Sequence, residues 1–68
     1  MPKIFIEMLE GRTVEEKKLL VKKVTDAVVE ALEVDPEIVN INLCEHAKHN
    51  VARGGRLYSE IYPGKFTS

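Results

Sequence analysis

From Pro2 to Leu9 the chain reads PKIFIEML, with Ile4, Ile6 and Met8 on one side of an extended segment and Phe5 and Leu9 on the other. Branched and aromatic residues in period-two order predict a β-strand. Both of its faces are apolar. One helix covers one face, so the other needs a further layer that the remaining residues are too few to build. A neighbouring subunit is the expected cover.

After Gly11, Thr13-Val14-Glu15-Glu16 opens a helix. Thr13 can cap the first free amides while Glu16, three residues on, reaches back to complete a capping box. Leu20, Val21, Val24, Ala27, Val28, Ala31 and Leu32 then recur at helical spacing, leaving Lys18, Lys22, Asp26 and Glu33 outside the apolar stripe. Asp35-Pro36 is expected to end the helix, because the residue before proline is pushed out of the α region and proline lacks the next amide donor. From Ile38 to Cys44, Val39, Ile41 and Leu43 alternate with Asn40, Asn42 and Cys44, which predicts a second strand. Strand, long helix and strand in succession imply a right-handed crossover and a parallel pair. Gly54-Gly55, flanked by Val51-Ala52 and Leu57-Tyr58, marks a small hairpin; Pro63-Gly64 marks another turn within a tail. Tyr58, Tyr62 and Phe66 are expected to pack that tail against a neighbour. The predicted fold is α/β (α+β), a β-α-β protomer with parallel strands and a C-terminal hairpin, one domain over residues 1–68 without internal repeats.

Size sharpens the need for association. In 68 residues, ordering the chain costs roughly 1.5 kcal/mol per residue, and a core this small leaves about 3–5 kcal/mol of net stability. Cys44 is the one cysteine, so no disulfide forms within the chain, and a metal or subunit association must add support. The double-faced strand favours association. A net charge of −1 removes the electrostatic drive of nucleic-acid binders. No apolar run reaches the length of a membrane span and no secretory signal pattern opens the sequence, so a cytoplasmic protein is expected.

Cys44, Glu45, His46 and His49 include metal-ligand types at close spacing. A strand aims Cys44 and Glu45 to opposite sides, and the histidines read as surface loop residues, so no metal is expected. Lys17-Lys18 and Lys22-Lys23 are interleaved by Glu15, Glu16, Asp26 and Glu30, which describes a solvated helix face.

The chemistry centres on Met1-Pro2 opening into a strand. Removal of Met1 exposes a secondary amine, which has a lone pair and can take a proton; as an amide it cannot. A free α-amino group titrates near ~8, so a base at neutral pH needs that value lowered by apolar surroundings or a fixed cation. A guanidinium about 6 Å away at an effective dielectric of about 20 supplies roughly 3 kcal/mol, or about two pKa units. Arg12 is the candidate, with a fork that also suits a carboxylate.

PKIFIEMLEGRTVEEKKLLVKKVTDAVVEAL, with Pro2, the Leu9-Glu10-Gly11-Arg12 turn, the amphipathic helix and the later Gly54-Gly55, resembles the 4-oxalocrotonate tautomerase family up to about Tyr58. The resemblance implies a β-α-β protomer, dimers assembled as a hexamer, and active sites between subunits. It implies a cofactor-independent isomerase in which Pro2 moves a proton within a 2-hydroxy-dienoate or enol acid. Arg12 would bind a substrate carboxylate and the Leu9 backbone would line the site.

Two positions depart from the family pattern. A second arginine, donated by another subunit in well-studied members, falls at Asn40, which donates a hydrogen bond but carries no charge. The aromatic wall falls at Val51, which opens the pocket. Arg53, or Arg56, is the candidate to restore positive charge from another direction. Hydration, dehalogenation or iminium chemistry on the same amine is an alternative, and so is a non-catalytic oligomer with binding or structural ends.

Overall fold

The computed structural model describes residues 1–64. Strand β1 (Lys3–Leu9) leads into helix α1 (Val14–Leu32), and strand β2 (Asn40–His46) returns beside β1. The two strands pair in parallel with Lys3 opposite Asn40 and Leu9 opposite His46. A hairpin of β3 (Ala52–Arg53) and β4 (Arg56–Leu57) follows, and one helical turn, α2 (Tyr58–Ile61), succeeds it.

Each boundary has a local cause. Thr13 caps α1 as its sequence predicts: its hydroxyl accepts the Glu16 amide at 3.1 Å while the Glu16 carboxylate accepts the Thr13 amide at 3.0 Å. The far end differs from expectation. The helix stops before Asp35-Pro36, because Glu33 adopts the left-handed conformation (φ 53°) and its amide closes on the Val29 carbonyl at 2.9 Å. Pro36–Ile38 then forms a 3₁₀ turn capped by Asp35, so the second strand starts at Asn40 and not at Ile38. It runs on to His46, two residues beyond the expected end. The hairpin matches expectation, with Gly54 (φ 61°) and Gly55 (φ 79°) both in the left-handed region that a tight two-residue hairpin requires. The segment after it is no plain tail: α2 is held by a bond from the Leu57 amide to Glu60 at 3.0 Å. Lys48 Nζ secures its end, donating to the carbonyls of Tyr62, at 2.7 Å, and Gly64.

Helix α1 lies on the sheet face of Ile4, Ile6, Met8, Ile41 and Leu43, all half-buried. Its covered row is Leu20, Val21, Val24, Thr25, Val28 and Val29. Ala27, Ala31 and Leu32, expected in the stripe, are exposed, because a sheet of two strands is too narrow to reach them. The Lys17–Glu45 ion pair, 2.6 Å, ties the start of α1 to the end of β2. Among the described residues no side chain is fully buried. The radius of gyration is 15.0 Å, against about 11 Å for a compact domain of this length. Phe5, on the sheet face away from α1, is 62% exposed. For a chain of this length these are open proportions, with the second face of the sheet left uncovered.

Candidate active site

The register of the sheet sorts the candidate residues into three groups. Pro2 and Asn40 come together: the Asn40 amide donates to the Pro2 carbonyl at 3.1 Å, and the Asn40 side chain donates to the Ile38 carbonyl at 3.2 Å. Pro2 is half-buried, and with Met1 in place its nitrogen is an amide.

Leu9 and Arg12 form the second group at the opposite end of β1, where the Glu10 amide donates to the His46 carbonyl at 2.9 Å. Seven residue steps separate Pro2 from Leu9, so the two ends stand roughly 23 Å apart at about 3.3 Å per residue. Arg12 and Pro2 of one protomer therefore do not share a site. Arg12 Nη1 bonds Glu16 Oε2 at 3.0 Å across one helical turn. An open hollow of about 240 Å³ lies here, lined by Met8, Arg12, Glu16, Lys17 and Leu20. The Thr13 backbone bond, and secondarily Arg12, hold the Glu16 carboxyl below the usual range.

Val51 and Arg53 form the third group, on the hairpin. Val51 lines an open hollow of about 430 Å³ with Glu7, His46, Asn50, Ala52 and Tyr58. Arg53 lies 5.7 Å from the centre of the Tyr58 ring and 3.5 Å from the Tyr62 hydroxyl. That hydroxyl raises the guanidinium's pKa further. Tyr58 and Tyr62 meet edge to face at 5.5 Å, so these two rings pack on each other and on Arg53. Phe66 lies outside the described residues. Arg53 and Arg56 are direct partners in the hairpin ladder, where opposed like charges are unfavourable unless an anion joins them.

Sequence reasoning missed a further pair. His46, expected in a loop, belongs to β2, and its Nε2 lies 3.1 Å from Glu7 Oε1 on β1. Only the register brings the two together. Among the described residues no three His, Cys, Asp or Glu side chains converge, and no helix is long and apolar enough to cross a membrane.

The model of the tautomerase enzyme family matches residues 2–61. The chain belongs to the tautomerase family. It is thereby an enzyme, an isomerase of the tautomerase type, and the non-catalytic reading loses its ground. The tautomerase is 39% identical over 61 residues to the 2-hydroxymuconate tautomerase of Bacillus subtilis, a match covering 90% of this chain and 98% of that one. It is 37% identical over 60 residues to a probable tautomerase of Halalkalibacterium halodurans, covering 88% and 98%. Among solved structures it is similar to a 4-oxalocrotonate tautomerase isozyme from Methylibium petroleiphilum, with TM-score 0.84, 37% identity and coverage of 88% of this chain and 94% of the other. A heterohexameric 4-oxalocrotonate tautomerase from Chloroflexus aurantiacus matches with TM-score 0.83 and 30% identity, over 90% and 98% of the two chains. The β-α-β start, the parallel β1–β2 pair and the C-terminal hairpin are thus the tautomerase fold.

Proposed function

We propose that this tautomerase moves a proton within a small 2-hydroxy-dienoate or enol/2-oxo acid, with the freed Pro2 amine as general base and then acid and with no cofactor. The observation that carries the reading is the register: Pro2 and Asn40 at one end of an open-edged strand, Leu9 and Arg12 at the other. Antiparallel pairing of β1 with a second copy, about a two-fold axis near Ile6, aligns Lys3 with the partner subunit's Leu9. Pro2 then faces the partner subunit's Glu10, two residues from the partner subunit's Arg12. Two identical composite sites form per dimer, and the roughly 6 Å separation that lowers an amine's pKa by about two units becomes attainable between subunits. Three such dimers as a homohexamer would cover Phe5, in line with the heterohexameric relative.

In the assembled site Pro2 takes the substrate proton and returns it to a carbon, leaving the conjugated ketone. Arg12 holds a carboxylate, the Leu9 backbone and Val51 line the site, and Asn40 donates a hydrogen bond to the developing enolate. Arg53, or Arg56 opposite it in the hairpin, supplies the positive charge that Asn40 lacks. The likeness to a 2-hydroxymuconate tautomerase supports a dienoate substrate.

A pH–rate profile on a 2-hydroxydienoate tests the reading, with intact mass establishing loss of Met1. The expected ascending limb reports a group well below a free amine, and Pro2→Ala or retention of Met1 abolishes it. A profile untouched by Pro2→Ala overturns the assignment. Arg53→Ala is expected to lower kcat/KM; no change would remove the hairpin from the site.

A further inference from the structure

Glu7 and His46 take no part in the chemistry assigned so far, yet they adjoin two walls of the proposed site. His46 is the ladder partner of Leu9, so the protomer that supplies Leu9 also supplies His46, one strand or about 4.8 Å away. It also lines, with Glu7, Asn50, Val51 and Tyr58, the open hollow of about 430 Å³ beside the hairpin. Its side chain is 38% exposed, within reach of a ligand. Nε2 lies 3.1 Å from Glu7 Oε1. An ionised carboxylate only accepts hydrogen bonds, so this contact puts a ring proton on Nε2. Among the described residues no hydrogen bond reaches Nδ1. In a neutral ring held this way Nδ1 carries a lone pair and can only accept.

We propose that His46, oriented by Glu7, is a specificity-determining residue that accepts the hydroxyl of a 2-hydroxy acid at Nδ1. This deepens the proposed function and rests on its reading of Leu9 and Val51 as walls of the site. A 2-hydroxy-dienoate brings an O–H donor to the ring. The 2-oxo isomer brings a carbonyl, whose lone pairs would face that of Nδ1, so the ring favours the hydroxy form. Arg53 and Arg56 carry donors only and cannot receive a hydroxyl. Asn50 and Tyr58, on the same hollow, can accept as well, and the variants below separate them from His46. A site built around a hydrogen bond from its ligand rejects an analogue lacking the donor, because the acceptor is left unpaired. Water reaches this partly exposed ring and replaces some of the missing bond. The expected discrimination is therefore that of one ordinary hydrogen bond, about five-fold.

Titration of the full oligomer with 2-hydroxyadipate and with adipate, followed by NMR, tests this at about pH 8, where a histidine ring is ordinarily neutral. These saturated acids cannot tautomerise and differ only in the hydroxyl, so binding is read without turnover. The wild type is expected to bind 2-hydroxyadipate about five-fold more tightly. His46→Gln keeps an amide near the Nε2 position for Glu7 but has nothing at the Nδ1 position, and the two acids are expected to bind alike. His46→Asn, whose amide oxygen falls near the Nδ1 position, is expected to retain part of the preference. Glu7→Ala frees the ring to turn or to change tautomer, and the preference is expected to fall to about two-fold. Amide spectra of each variant establish that it is folded. Equal binding of the two acids by the wild type, or a preference undiminished in His46→Gln, overturns the assignment; the Pro2 reading, tested by its own pH–rate profile, would stand. A preference undiminished in Glu7→Ala overturns the orienting role. Binding of neither acid removes the hydroxy-acid site itself and this assignment with it.

Discussion

Two inactive variants of this tautomerase are expected to rescue each other. On the proposed mechanism Pro2→Ala lacks the base and Arg12→Ala lacks the cation that tunes it. Within one protomer they belong to opposite ends of β1, roughly 23 Å apart from Pro2 to Leu9, and over that distance a unit charge in water contributes about 0.2 kcal/mol, or about 0.1 pKa unit, before salt screening. Across the proposed two-fold β1 pairing a separation of about 6 Å becomes attainable, and at an effective dielectric of about 20 the same charge would contribute roughly 3 kcal/mol. On the proposed reading, a working site draws Pro2 from one chain and Arg12 from another. In an equimolar mixture that reassociates at random, half of the Pro2 side of all sites comes from the Arg12→Ala chain. Half of those sites meet an Arg12 from the Pro2→Ala chain, so about one quarter of sites are intact. Loss of dienoate absorbance in co-expressed or co-refolded mixtures reads this directly, with native mass spectrometry confirming mixed oligomers. Activity no greater than the sum of the separate variants, in verified mixed oligomers, would refute the composite site.

Three further outcomes follow from the fold. Gly55→Ala places a β-carbon where nothing lies within 4 Å, yet at φ +79°. The expected cost is about 1–2 kcal/mol of conformational strain, a fall of roughly 4–8 °C per kcal/mol in a thermal melt. Phe5→Asp puts a charge on an exposed position of the sheet face away from α1 and is expected to shift the oligomer toward smaller species in size-exclusion chromatography; an unchanged profile would exclude that face from assembly. Glu16 titrates below the usual glutamate range in the folded chain. Its contribution is complete above the unfolded-state pKa and is lost as pH falls through the lower folded value. Far-UV circular dichroism during acid titration is expected to lose this component in Glu16→Gln.

The order of elements was legible in the residues themselves, because each element is specified by positions close along the chain. Period-two alternation marks β1 and β2, Thr13 and Glu16 sit three positions apart in the capping box, and Gly54-Gly55 meet the hairpin's need for two positive φ angles. Where no local signal exists the reading fell short. Glu33 ends α1 in a left-handed conformation usually taken by glycine, and the narrow sheet leaves Ala27, Ala31 and Leu32 uncovered although their spacing suits the stripe. Which side chains meet was settled by pairing between distant segments. Register seats Pro2 beside Asn40, brings Glu7 to His46 and sets Arg53 on two tyrosines, joining residues distant in sequence. It also parts Pro2 from Arg12 by the length of a strand. Local periodicity tells which way a side chain points, but only the alignment of one strand on another tells what it will find there.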